Sequence, residues 1–289
     1  MVAISIIIPT YNRRNLIRFA IDSVLSQTWT DYELIIVDDG STDSTGEFIN
    51  RNFEDSRIKY FYQVNKGQNF ARNLGISKAS GEYLCFLDSD DLWPEYKLEM
   101  SLTAFKEHPD CDVVFGYEIL IDDGGNELGR SQIKPYSGQV TAKLIVDNFV
   151  GMSAAMVRTE AVRKIGGMDE TIKVADDFAL WLNLSRCCRF YYMDKPLGYY
   201  RITSDQISKD TVARLNSNLY TVKKFLEKYP DVITNEERRN ALCEFYSKRV
   251  RILGKERLYK QGMLEFCKAV VNRPGLILPW RALYRMFIE

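Results

Sequence analysis

A chain of 289 residues with 39 Lys+Arg and 39 Asp+Glu carries a formal net charge of zero; 46% of its residues are hydrophobic and 27% charged. This composition excludes a disordered or collagen-like chain and allows one large α/β domain or two smaller ones, each with a real core. Neutrality also argues against a nucleic-acid coat protein, whose phosphate contacts need a basic excess.

Taken in chain order, Ile4–Ile8 reads as a buried strand and Asn15–Leu25 as a helix with Leu16, Phe19, Ala20 and Val24 on one face. Glu33–Val37 is a second buried strand, and Ser41–Ile49, opening on Ser, Thr and Asp, a second helix. Lys59–Val64, Gln68–Ala79 and Tyr83–Leu87 continue as strand, helix and strand. Such alternation predicts a parallel sheet covered on both faces, with ligands beyond the carboxyl ends of its strands. From Asp112 the pattern changes: Val113–Ile121 is a strand, 122–126 a turn, and a returning segment follows. Helices near Thr141–Asn148 and Thr159–Ile165 bracket a strand near Ser153–Val157, and Phe178–Ser185 is a further helix. After 210 the chain becomes helix-like and basic.

The zero net charge is a sum of unlike parts. Residues 210–289 hold 16 basic and 9 acidic side chains, a net of +7, so residues 1–209 carry −7. We divide the chain accordingly into 1–209, itself split at 111/112, and a basic helical region 210–289. No basic segment precedes the short apolar run at the N-terminus, so a secretory signal is not expected, and no stretch approaches the ~18 apolar residues of a membrane-spanning helix. Six cysteines without C-x-x-C spacing read as reduced, cytosolic thiols.

Acidic residues recur where strands end: Asp38-Asp39, then Asp88-Ser89-Asp90-Asp91, then Asp176-Asp177 before a helix. Capping and turn chemistry account for Asp43 and Asp122-Asp123. The cluster Asp88, Asp90 and Asp91 is harder to explain so, because three neighbouring carboxylates repel one another unless a cation intervenes. Oxygen ligands without His or Cys favour Mg²⁺ or Mn²⁺. Neither a P-loop nor a G-x-G-x-x-G after the first strand is present, which removes the common ATPase and dinucleotide readings. The single histidine, His108, precedes Pro109 in a loop, so Ser/His and Cys/His schemes lack a base and any general base is a carboxylate.

These fragments, in order, resemble the inverting glycosyltransferases of family 2. The resemblance rests on Ser5 to Asn12, Val37 to Asp43, Asn65-Lys66-Gly67, Ala71-Arg72-Asn73, Leu87 to Asp91, Gly166 to Glu170 and Asp176 to Trp181, and it spans residues 4–210. It implies a GT-A fold: a Rossmann-like, mostly parallel α/β sheet flanked by helices, here with a C-terminal helical extension. It further implies a nucleotide-sugar donor, with a UDP-sugar favoured, and Mn²⁺ or Mg²⁺. Pro9, Thr10 and Tyr11 would line the nucleoside pocket, Asp39 would hydrogen-bond the base, and Arg72 would support the same pocket. Asp88 and Ser89 would lie near the ribose, with Asp90 on the metal; Asp88 and Asp91 assist, or Asp91 caps the segment before Trp93-Pro94. Asp177 would be the catalytic base and Asp176 its support.

Thr203 stands where the family often has a histidine after the Tyr-Arg pair, which implies either weaker metal affinity or a shift of that work to Arg201 and neighbouring groups. The Q-x-x-R-W signature of processive members is missing, which implies one sugar added per encounter to a glycan or lipid-linked acceptor, in polysaccharide or glycolipid synthesis. The alternatives are a non-catalytic sugar-nucleotide-binding module or a membrane-associated scaffold. The last stretch, 273–289, mixes apolar residues with Arg273, Arg281 and Arg285. It reads either as an interfacial helix at the inner face of the membrane or as a helix packed on its own chain or a second subunit of an oligomer. Pro274 and Pro279 are expected to interrupt it.

Overall fold

The computed structural model describes residues 2–203 and 210–288. The chain forms two compact units: Met1–Gln139 with Phe149–Gln206, and Val140–Asn148 with Ile207–Glu289. Val140–Asn148 thus goes with the helical unit although it lies within the 112–209 segment.

The first unit is α/β. Its sheet begins with β1 (Ile4–Thr10), β2 (Tyr32–Asp38), β3 (Ile58–Tyr62) and β4 (Tyr83–Phe86), all parallel, in the order β3-β2-β1-β4. Every residue of β1 and β2 is buried, as expected of strands covered on both faces, and this is why they read as continuous apolar runs. The helices α1 (Ile17–Leu25), α2 (Thr45–Asn52), α3 (Gln68–Lys78) and α4 (Lys97–Glu107) follow the four strands in turn. Ile17, Ala20, Ile21 and Val24 of α1 join Ile4, Ile6, Ile8, Leu34 and Ile36 in one core cluster. Gly75 permits α3 to lie close on the sheet, since a Cβ there would stand 2.6 Å from Ile7 Cγ2.

Beyond β4 the sheet is mixed. β7 (Ala155–Arg158) pairs antiparallel with β4 and with β5 (Val113–Ile121), β6 (Glu127–Arg130) pairs antiparallel with β5, and β8 (Phe190–Arg201) runs parallel to β5. α6 (Thr159–Ile165) and α7 (Asp176–Ser185) connect β7 to β8. The sequence pattern does not reveal α4 or β8. In β8 the run Asp194-Lys195-Pro196 reads against a strand, and the structure accommodates it with register shifts opposite Phe115, Tyr117 and Glu118. His108 caps α4 and stacks on Tyr191 with ring centres 3.8 Å apart, a packing role.

The second unit is helical: α5 (Thr141–Val146), α8 (Thr211–Lys228), α9 (Asn235–Lys255), α10 (Tyr259–Asn272) and α11 (Ile277–Ile288). Thr234 and Glu237 form a reciprocal capping box at the start of α9. Val250, Phe266, Ala282 and Met286 make its small core, and Gly254 and Gly262 let Met286 approach. Pro279 does not interrupt α11. It occupies the first turn, where no intrahelical N–H is needed, while Pro274 falls in the connection from α10. No helix among the described residues is long and apolar enough to cross a membrane.

Candidate active site

The loops that leave the carboxyl ends of β1, β2 and β3 are cross-linked by polar side chains. Asn12, with φ +51°, accepts from Thr42 N (2.8 Å) and donates its own N–H to Ser41 Oγ (2.9 Å). Asp38 accepts from Ser41 N (2.7 Å) and Tyr60 Oη (2.8 Å). Asp39 is buried and accepts from Gln63 Nε2 (2.6 Å), Lys66 N (2.9 Å) and Gly67 N (2.8 Å), which fixes the loop into α3. Around them, Pro9 and Thr10 are buried at the end of β1, and Tyr11, 48% exposed, presents its ring to solvent.

Arg72 occupies the centre of the site. Projecting from α3, it is only 2% exposed; Nη2 donates to Asp88 Oδ1 (2.5 Å) and Nη1 to Asp176 Oδ2. Burial alone would lower its pKa, but the Asp176 and Asp88 carboxylates outweigh that and raise it. One guanidinium therefore joins the β4 loop to α7, and Gln68 Nε2 adds a 2.9 Å bond to Asp176 Oδ1. The same helix grips the segment before α7. Asn69 donates to the carbonyls of Asp169 and Ile172, and Asn73 exchanges bonds with Met168 and Glu170. The Ala71-Arg72-Asn73 and Gly166-to-Glu170 fragments, far apart in sequence, are thus one contact.

Asp88, Ser89, Asp90 and Asp91 diverge in role. Asp88 faces Arg72, Ser89 is buried, and the Asp90 side chain is 16% exposed with Arg13 Nη2 4.0 Å away. Asp91 is inside: Oδ2 accepts from Ser153 Oγ (2.6 Å) and Oδ1 from Arg201 N (3.1 Å), so it anchors the loop. Burial, then Asp90, Asp88 and Glu118, push its pKa well above the carboxylate range. Arg201 clamps the same loop through its guanidinium, which donates to the carbonyls of Asp90, Asp122 and Asp123. Trp93 Nε1 bonds Ser153 O at 2.7 Å while the buried Lys97 ammonium sits 3.6 Å over the Trp93 ring. Thr203 is buried; residues 204–209 lie outside the described chain.

Ala175, in the left-handed region at φ +56°, turns the chain so that Asp176 and Asp177 both enter the first turn of α7. A helix N-terminus favours carboxylates, yet burial dominates. It raises Asp176 despite Arg72, and together with the neighbouring Asp176 it pushes Asp177 up to about 7. Sequence reasoning did not single out Glu118 on β5. Burial, then Asp177 and Asp88, raise it to about 7 as well. Its only sequence signal is a lone acid within the apolar run Val113–Ile121.

Asp88, Asp90, Asp91, Glu118, Asp176 and Asp177 therefore share one region with Arg72, Arg13 and Arg201, and negative charge is in surplus. That donor set, all oxygen, fits a hard divalent cation. Among the described residues no three His, Cys, Asp or Glu side chains already converge as ligands, so the shell would need water or substrate oxygens.

Comparison with known proteins gives an independent view. The profile of the family described as glycosyl transferase family 2 matches residues 5–166. An uncharacterized glycosyltransferase of Rickettsia bellii is 34% identical over 225 residues, covering 77% of this chain and 32% of that protein. The chain thus spans about a third of that relative's length. The Escherichia coli protein named UDP-Glc:alpha-D-GlcNAc-diphosphoundecaprenol beta-1,3-glucosyltransferase WfgD is 42% identical over 118 residues, 40% of this chain and 46% of that one. Among solved structures, residues 1–349 of Staphylococcus aureus TarS in complex with UDP-GlcNAc superpose with a TM-score of 0.63 at 20% identity, covering 93% of this chain and 89% of that one. That likeness establishes the GT-A type of sheet.

Proposed function

The chain belongs to glycosyl transferase family 2, and from that premise we propose that it is an inverting, metal-dependent glycosyltransferase. It takes a nucleotide-sugar donor, a UDP-sugar in preference, and adds one sugar per encounter to a hydroxyl of a glycan or lipid-linked acceptor. The observation that carries the reading is Arg72 joining Asp88 to Asp176, with Asp177 beside them and its pKa raised to about 7. Nucleotide loop, strand-end carboxylate and base are thereby held in one rigid arrangement. WfgD is named for a UDP-sugar donor and a diphosphoundecaprenol-linked acceptor, which supports the donor and acceptor classes.

In the reaction Asp177 accepts the acceptor's O–H proton, the oxygen forms a bond to C1 of the sugar, and the C1–O bond to the diphosphate breaks. The electron pair leaves with the nucleoside diphosphate, and attack from the opposite face inverts the anomeric configuration. A carboxylic acid with a pKa near the working pH is suited to this step, since it is ionised before the transfer and basic enough to take the proton. Asp90 and Asp88 would hold Mn²⁺ or Mg²⁺, which when bound neutralises charge on the leaving diphosphate. Asp91 and Arg201 keep the loop that carries Asp90 in place, while Pro9, Thr10, Tyr11, Asp39 and Ser89 shape the donor pocket. Calorimetry with UDP-, GDP- and dTDP-sugars, with and without Mn²⁺, tests the donor; the anomer of the product, read by NMR, tests inversion. Binding indifferent to both nucleotide and metal overturns the reading, and transfer that survives Asp177→Asn removes the base assignment.

A second surface bears on the acceptor. The outer side of α10 and α11 exposes Leu264, Val271, Ile277, Trp280, Tyr284, Phe287 and Ile288. Residues 255–288 carry seven basic and two acidic side chains, and one of the acids, Glu265, is already paired with Arg249 and Lys268. A second copy would present the same positive charge to itself, whereas an anionic bilayer complements it. We assign this face to the cytoplasmic surface of a membrane, where lipid-linked acceptors reside. Flotation with phosphatidylglycerol vesicles tests it against neutral vesicles; equal behaviour with both, or a dimer in solution, overturns it.

A further inference from the structure

The transfer mechanism above leaves Ser153 unused, yet this residue meets three points of the loop that carries Asp90. Residues 88–91 form a tight turn, closed by Asp91 N donating to Asp88 O at 3.0 Å, with Ser89 and Asp90 at its tip. Ser153 Oγ accepts from Asp88 N (3.3 Å) at the start of that turn and donates to Asp91 Oδ2 (2.6 Å) at its end. Its carbonyl accepts from Trp93 Nε1 (2.7 Å), two residues further on. A hydroxyl has one proton to give, so accepting from Asp88 aims that proton at Asp91, and the two bonds fix each other's direction.

Ser153 is buried and comes from far along the chain, 65 residues from Asp88 and 62 from Asp91. It sits in the turn that leads into β7, where Ala154 N donates to Gly151 O (3.3 Å) and Gly116 N of β5 donates to Ala154 O (3.2 Å). The sheet itself therefore carries the hydroxyl. From the other side β8 holds the same turn. Arg201 donates through N to Asp91 Oδ1 (3.1 Å) and through Nε to Asp90 O (3.0 Å), and Leu92 and Tyr199 exchange backbone bonds (3.1 and 2.8 Å). Both oxygens of Asp91 are thereby engaged inside the protein, while the side chains of Asp88 and Asp90 are 34% and 16% exposed. The carboxylates that face the site are thus distinct from the one that fixes the turn.

We propose that Ser153 is the positioning residue of the cation site. It touches neither the ion nor the donor; it sets the angle at which the turn presents the Asp90 carboxylate relative to Asp88, and it does so before a cation arrives. The proposal rests on the metal-dependent reading above and narrows it: Asp88 and Asp90 face the ion, whereas Asp91 holds the turn. Removing the hydroxyl leaves Asp88 N and one Asp91 oxygen without their partner, and the turn relaxes to satisfy them. Groups that orient metal ligands in this way are worth about 10- to 100-fold in metal affinity. The loss falls on the cation and on the diphosphate that shares it. It spares the nucleoside, whose loops follow β1 and β2.

The test reads Mn²⁺ binding to the full chain from the electron paramagnetic resonance signal of the free ion, with UDP saturating. Ser153→Ala is expected to raise the Kd of Mn²⁺ about 10-fold or more, while binding of UMP in EDTA is unchanged. Ser153→Cys, which keeps the volume and a weaker donor, should fall between Ala and wild type, and it carries the test if the alanine variant does not fold. Ser5→Ala is the control for stability. It removes a similarly buried hydroxyl, bonded to Glu33 Oε1 (2.6 Å) at the opposite end of β1, and should lower the melting temperature without moving the Mn²⁺ affinity. An unchanged Mn²⁺ affinity in the Ser153 variants overturns the proposal. So does a parallel loss of UMP binding, or an equal loss of Mn²⁺ affinity in Ser5→Ala, since either makes Ser153 a residue of the fold alone. A wild-type chain that binds neither UDP nor Mn²⁺ in its presence instead overturns the metal-dependent function proposed above.

Discussion

In each unit a buried arginine pairs with acids, Arg249 in one and Arg72 in the other, and the two are used differently. In the helical unit Arg249 donates through Nε to Glu265 at 3.0 Å and through Nη1 to Leu215 O, while Lys268 adds a second cation to Glu265. The buried Arg249–Glu265 pair is balanced by itself, since Lys268 is 41% exposed, and it ties α9 to α10. In the sheet unit Arg72 bonds two carboxylates, with Asp177 close enough to be felt, and Glu118, Asp90 and Asp91 lie around them. Burial costs both units a desolvation penalty, but only the first leaves negative charge uncompensated. A balanced buried pair is scaffold; an unbalanced one is a place where a cation, a proton or a ligand's donors belong.

The sharpest way to break this contrast is Asp177→Asn. If the surplus charge includes the base, transfer is expected to fall by about 10³-fold, within the range of general-base contributions, with UDP binding unchanged by calorimetry. Next come paired replacements. Arg249→Met should destabilise the chain by about 3 kcal/mol, the cost of leaving a buried partner uncompensated, and Arg249→Met/Glu265→Leu should recover most of that in urea unfolding. Arg72→Met/Asp176→Leu is expected to fold comparably well yet remain inactive. Recovered activity there would reduce Arg72 to scaffold like Arg249. A smaller effect is expected at the exposed face of α11, where Arg281→Glu/Arg285→Glu should weaken vesicle flotation by about 1 kcal/mol per removed Arg without shifting the melting temperature.

The smallest and most diagnostic effect is on pH. Asp177 and Glu118 are raised to about 7, so the folded state binds protons that the unfolded state has released. Their contribution to stability rises as pH falls from 8 towards the unfolded carboxylate range. Glu33, buried on β2 and held by Lys59, Ser5 and Ser80 against the cost of burial, is lowered to about 2, so its contribution is lost only as pH drops from ~4.5 towards 2. Melting temperatures of the metal-free protein should therefore climb from pH 8 to pH 6 and fall below pH 4. Asp177→Asn should flatten the first limb, and Glu33→Gln the second.

Much of the sheet unit is legible in the sequence because its strands are buried on both faces. Ile4–Thr10 and Tyr32–Asp38 carry apolar runs that no loop would show, and helical periodicity marks α1 and α3, although α1 buries Ile17 and Ile21 with Ala20 and Val24 and leaves the expected Phe19 exposed, with Leu16 at its N-cap. The carboxylates fall at strand ends because parallel strands leave their open ends there. What the sequence hides depends on partners far along the chain. β8 reads as a loop around Pro196 until its bulges pair it with β5, and α11 appears interrupted at Pro279 until its first turn is located there.

The identity and order of the strand-end carboxylates, and the apolar patterns that build the sheet, follow from the sequence alone, since they depend on local periodicity and turn chemistry. Which carboxylates share a cation is a tertiary matter. Arg72 lies 16 residues from Asp88 and 104 from Asp176, and only the close seating of α3 on the sheet brings both to one guanidinium. Glu118 likewise enters a slot between two glycines only because its bulged pairing with β8 turns it there. Residue type sets what a group can do; long-range packing sets how far it is desolvated and which charges it meets, and these decide its chemistry.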